Sequence, residues 1–105
     1  MVKEYKFKQY VANISSHMNL TPDILFSDQR VNGVALARKI LFYICSVHGK
    51  MKVVEILHYL KQNGKEMSRV AIYKGIEYVE KLVKEDEDYP IIVNHLSKIN
   101  IDEVK

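Results

Sequence analysis

The sequence has a single cysteine, Cys45, so no disulfide can close within the chain and a reducing compartment is expected. It has no apolar run near the ~20 residues that cross a bilayer. Its opening, MVKEYKFKQY, lacks the pattern of a signal peptide. These absences predict a soluble, cytoplasmic protein with no membrane partner. Internal repeats, low-complexity segments and domain linkers are also missing. The four histidines, His17, His48, His58 and His95, are scattered, and no His, Cys or carboxylate group falls at metal-ligand spacing. Neither a carboxylate pair nor a phosphate-binding loop is present. No enzyme, metal site or cofactor is therefore expected.

What is there suits one domain. A chain of 105 residues, 48% hydrophobic and 28% charged, can bury a single core without staples. The net charge of +3 hides an asymmetry. Residues 1–84 hold 14 Lys/Arg and 7 Asp/Glu, whereas residues 85–105 hold 2 and 6. Between Arg30 and Lys74 there are 9 basic residues and 2 acidic ones. A basic middle of this kind presents a field suited to a polyanion.

Apolar spacing predicts helices throughout. Phe7, Val11, Ile14 and Met18, with Tyr10 beside them, form the stripe of a core-facing first helix over residues 4–18. Thr21 as N-cap and Pro22 at the first helical position predict a short turn, TPDILF. Asn32-Gly33 can mark a turn inside the stretch that follows, so the next helix is expected to begin anywhere between Ser27 and Val34. VALARKILFYICSVHG, residues 34–49, apolar nearly all round, reads as the buried axis of a bundle, with Gly49 expected as its C-cap. Arg38 and Lys39, the only charges in its middle, emerge either for solvation or to meet phosphate.

Residues 51–84 read as a helical hairpin. Its first helix is expected to bury Val53, Val54, Leu57 and Leu60, with Lys50 and Lys52 at its N-terminus, where they and free N–H groups can meet a phosphate. A turn with Gly64 follows. The second helix is expected to place Val70, Tyr73, Ile76, Val79 and Leu82 on its core stripe, with Glu66 or Ser68 as cap. Lys65, Met67, Ser68, Arg69 and Lys74 stand around its start, where Arg can pair with guanine, Ser with phosphate or base edges, and Met67 with a thymine methyl. Two helices joined by a Gly turn, with basic residues opening the second, present themselves to DNA as a helix-turn-helix does. The acidic stretch 85–88 and Pro90 end that helix, and Ile91, Ile92, Val93 and Leu96 belong to a last short one. The fold class is all-α: a small bundle of five to six helices, one domain over residues 1–98, with a loosely ordered tail at 99–105.

NLTPDILFSDQR, VALARKILFYI, QNGKEMSRV and EYVEKL, in that order and spacing, resemble the C-terminal DNA-binding domain of the bacterial replication initiator DnaA. The resemblance covers almost the whole chain and implies a Trp-repressor-like helix-turn-helix. It implies Arg30 in the minor groove, Arg38 and Lys39 at the DNA backbone, and Lys65, Glu66, Met67, Ser68 and Arg69 at the major groove, the recognition helix starting near residue 66. Met67 stands where the family has a base-reading histidine, and Arg69 where it has a threonine, so a different target sequence is implied. The initiator's ATPase domain has no counterpart in these 105 residues.

Sequence-specific binding of double-stranded DNA is therefore the expectation, in replication control or transcription regulation, for instance of a phage or mobile element. A second copy or a replication or transcription protein is the other partner weighed. The alternative is an interaction module or inhibitor that uses this fold to bind a replication protein without DNA.

Overall fold

A computed structural model describes residues 2–29 and 33–99. Among them it has six α-helices and no strand: α1 Val2–His17, α2 Pro22–Leu25, α3 Val34–Val47, α4 Val53–Gln62, α5 Arg69–Glu85 and α6 Asp88–Leu96. Arg30 and Asn32, singled out in the sequence, lie outside the described residues.

α1 buries Phe7, Tyr10, Val11 and Ile14, one face at helical spacing. Phe7 stacks on Phe26 at 6.1 Å and meets Tyr59 of α4 at 5.4 Å, so one ring joins three segments. α2 begins as expected: the Thr21 hydroxyl accepts the Ile24 N–H, and Pro22 occupies a position whose missing donor costs nothing.

α3 is the axis. It packs against all five other helices, most extensively α5. Ala37, Ile40, Leu41, Phe42, Tyr43, Ile44 and Cys45 are all buried, because a helix enclosed on every side can spare few positions for water. Its C-cap is His48 rather than Gly49. Gly49 serves by its size: a Cβ there would lie 2.7 Å from the Cys45 carbonyl oxygen. The left-handed residue that turns the chain is Lys50, at φ +57°.

The faces of α4 and α5 differ from expectation. In α4 Ile56 is fully buried and Val54 is exposed. In α5 the buried positions are Ile72, Gly75 and Val79, with Ile76 and Val83 packed beside them. Val70 and Tyr73 are 59% and 56% exposed. Their exposure follows from helical geometry: a three-residue step falls short of a turn by about 60°, so a stripe from Val70 to Leu82 winds around the helix. The steps of four and three from Ile72 to Ile76, Val79 and Val83 stay on one side.

α6 closes the bundle with Val93 and Leu96. The Asn13 side-chain amide donates to the Leu96 and Lys98 carbonyls at 3.0 and 2.9 Å, tying the end of α6 to α1. Ile99 packs on the core, and residues 100–105 of the expected tail lie outside the described residues. Among the described residues no helix is long and apolar enough to cross a membrane.

Candidate nucleic-acid interface

α4 and α5 pack together and are joined by residues 63–68, longer than the about three to four of the simplest helix-turn-helix. The turn is closed by backbone bonds from Asn63, Gly64 and Lys65 to the last carbonyls of α4, and Gly64 supplies a positive φ of 80° that a Cβ would disfavour. Ser68 is the N-cap of α5, its Oγ accepting the Ala71 N–H at 3.1 Å. The recognition-type helix thus begins at Arg69, three residues after the position near 66 that the resemblance implies.

No acidic residue stands in the first turn of α5. Its N-terminal end keeps the positive pole of the helix dipole, which favours an anion. Ser68, Arg69, Val70, Tyr73 and Lys74 are exposed there. Val70 and Tyr73 are the residues the sequence pattern hid. Reading the stripe at steps of four and three would have released both to the outer face.

The other candidate residues divide into free and engaged. Lys50 and Lys52 are exposed at the start of α4, about 15 Å along that helix from the turn. The pole of α4 itself is already occupied. Glu55 accepts the Lys52 backbone N–H at 2.8 Å and the Lys3 ammonium at 3.0 Å, and these bonds hold its carboxyl below the usual carboxylate range. Lys39 reaches along α5 with its ammonium 4.1 Å from the centre of the Tyr78 ring, a cation–π contact on the flank of that helix. Met67 is half-buried and packs on the core, so it is only partly offered to a partner.

Arg38 and Lys65 are engaged inside the molecule. Arg38 Nε donates to the Leu25 carbonyl at 2.8 Å, and Nη2 donates to the Ser27 carbonyl. Burial lowers the guanidinium pKa, although an arginine stays charged at any ordinary pH. Lys65 Nζ donates to the same Ser27 carbonyl at 3.2 Å and to Asp28 Oδ1 at 2.7 Å, its side chain only 12% exposed. The Lys65 hydrogen bond and charge keep the Asp28 carboxyl below its ordinary pKa. Beside them opens a hollow of about 530 Å³ lined by Asp28, Lys61, Gly64, Lys65 and Glu66. Two acids and two cations on its walls give it no preference for an anion.

Among the described residues no group of three His, Cys, Asp or Glu side chains can hold a metal ion. Cys45 is sealed in the core, and burial raises its thiol pKa far beyond reactivity. A scan of family models, a search of curated proteins and a search of solved structures each find no match to this chain.

Proposed function

We propose that this protein binds double-stranded DNA, inserting the N-terminal half of α5 into the major groove. The observation that carries the reading is the outer face of that half-helix. Arg69, Val70, Tyr73 and Lys74 stand exposed on a dipole pole with no acid in its first turn. Arg69 supplies a guanine-pairing fork, Val70 an apolar contact for a thymine methyl, and Tyr73 a hydroxyl for phosphate or base edges. Lys50, Lys52 and Lys74 neutralise phosphates, and Lys39 approaches the backbone beside Tyr78. Arg30 takes the minor groove, as the resemblance to the initiator domain implies. Replication control or transcription regulation is the setting that resemblance suggests.

Selection of bound sites from a random duplex pool tests the reading, followed by anisotropy titrations against salt. With about five phosphates engaged, log affinity falls against log salt with a slope of about −4 to −5. A pool that yields no enriched sequence, together with affinity indifferent to salt, overturns it.

A second reading, a protein-interaction module, is favoured by one feature. The hollow between the ends of α3, α5 and α6 is lined by Tyr43, Val47, Val83, Pro90 and Ile91, and Ile91 is 70% exposed. Exposed apolar side chains around a groove suit a protein partner. Retention on heparin that disappears in moderate salt supports the DNA reading. A protein indifferent to heparin and to duplex supports the interaction module.

A further inference from the structure

We propose that Arg38 and Lys65 are positioning residues, which set the spacing between the segment leaving α2 and the N-terminus of α5 by gripping one carbonyl, that of Ser27. The inference rests on the DNA-binding reading, in which separate parts of the chain must meet one duplex at a fixed separation. The resemblance implies Arg38 at the DNA backbone and Lys65 at the major groove. The geometry points elsewhere.

A carbonyl oxygen has two lone pairs and can accept both donors at once. Arg38 comes to it from α3, bringing the neighbouring Leu25 carbonyl into the same grip. Lys65 comes to it from the turn that opens α5, and Asp28 Oδ1 completes its coordination. Bonds from charged donors are the stronger kind, and the Lys65 side chain is largely withdrawn from water while Arg38 is half-buried. Moving the Lys65 ammonium to a phosphate would require breaking two bonds and leaving the Ser27 oxygen with one partner fewer. Three segments are therefore fastened at one atom: the one leaving α2, the axis helix α3 and the turn between α4 and α5.

Such a fastening acts on discrimination more than on attraction. Base edges must be met at fixed geometry, whereas phosphates tolerate flexible lysines that follow them. Loosening the grip should therefore cost specific binding and spare the salt-dependent background.

The test uses the full chain, a duplex selected from a random pool and a scrambled duplex of equal length. In Lys65→Met, affinity for the selected duplex falls about tenfold or more, while affinity for the scrambled one and the salt slope are unchanged. Lys65→Arg, which keeps charged donors in place, retains most of the discrimination. For comparison, Lys52→Ala weakens both duplexes alike and flattens the slope by about one. Equal losses on both duplexes with a flattened slope in Lys65→Met would make Lys65 a phosphate contact and overturn the proposal. The grip is also read without DNA, by following the Asp28 carboxyl titration by NMR. It shifts upward in Lys65→Met, and an unchanged titration overturns the proposal. If Lys65→Met does not fold, Asp28→Ala loosens the same grip from an exposed position. It should lower discrimination by a smaller factor, and no change there overturns the proposal. A wild-type chain that binds neither duplex while its Asp28 titration still responds to Lys65 overturns the DNA-binding reading, and the positioning role with it, leaving the grip as a brace of the fold.

Discussion

Gly75 of α5 lies so close to Phe42 of α3 that a Cβ at Gly75 would stand 3.0 Å from the ring, with Lys39 Cγ at 3.3 Å. Glycine inside a helix ordinarily costs ~1 kcal/mol relative to alanine. Here the gain from Gly75→Ala is outweighed, because overfilling a packed contact costs ~1–3 kcal/mol. The variant should melt several degrees below the wild type, and Gly75→Val further below. Thermal unfolding followed by circular dichroism checks both, and a higher melting temperature for Gly75→Ala would show that Phe42 can yield.

Val70→Ala and Tyr73→Ala separate an outer face from a core stripe. Exposed substitutions usually change stability by less than ~0.5 kcal/mol, whereas buried large-to-small changes cost ~2–5 kcal/mol. Urea titration should leave both variants near the wild type, while Ile72→Ala loses stability on the larger scale. In duplex titrations Val70→Ala and Tyr73→Ala should weaken binding to the selected sequence.

These two positions also mark what the sequence could reveal. The inner face of α1, the Thr21 cap, the choice of Ser68 as one of two caps and the buried axis α3 were all legible, because each depends on residues a few places apart. The face of α5 was not, since an apolar residue at every third position mimics a stripe while turning about the helix. Val54, expected inside, is exposed and Ile56 is buried, because which side of α4 meets the body depends on α3 and α5. Arg38 and Lys65 were legible as cations and illegible as fasteners. Their acceptors are carbonyls of another segment, and every peptide unit offers the same oxygen, so only the tertiary arrangement decides which one is used.

Ser15 is buried, and its Oγ is without a hydrogen-bond partner among the described residues. An unsatisfied buried hydroxyl costs ~1–3 kcal/mol, and alanine also favours the helix. Ser15→Ala should therefore raise the denaturation midpoint, by up to ~1–2 kcal/mol of stability once partial relaxation is allowed for. A lower midpoint would indicate that the hydroxyl has an acceptor in solution.

Acid should weaken the fold through Glu55 and Asp28. Glu55 is held below its ordinary pKa first by the Lys52 N–H and then by Lys3, and Asp28 by Lys65. A carboxyl with a depressed folded pKa stabilises the fold above its unfolded pKa of about 4 and loses that contribution as pH falls through the folded value. Urea midpoints should be steady from neutrality to about pH 5 as far as these two groups are concerned, then fall. Glu55→Gln should start lower at neutral pH and lose less on acidification.

Cys45 should resist alkylation in the native protein, since its thiol is fully buried and disfavoured as thiolate. Iodoacetamide labelling followed by mass should track global unfolding in urea. Rapid labelling without denaturant would place the thiol within reach of solvent.

The hold of α3 on α5 has a bearing on recognition itself. With Phe42 and Lys39 pressed against Gly75, α5 is clamped near its middle, and the half-helix proposed to enter a duplex cannot swivel without repacking the centre of the molecule. Little freedom is left to surrender on docking, so losses measured for outer-face variants should register as faster dissociation, with arrival rates governed by ionic strength.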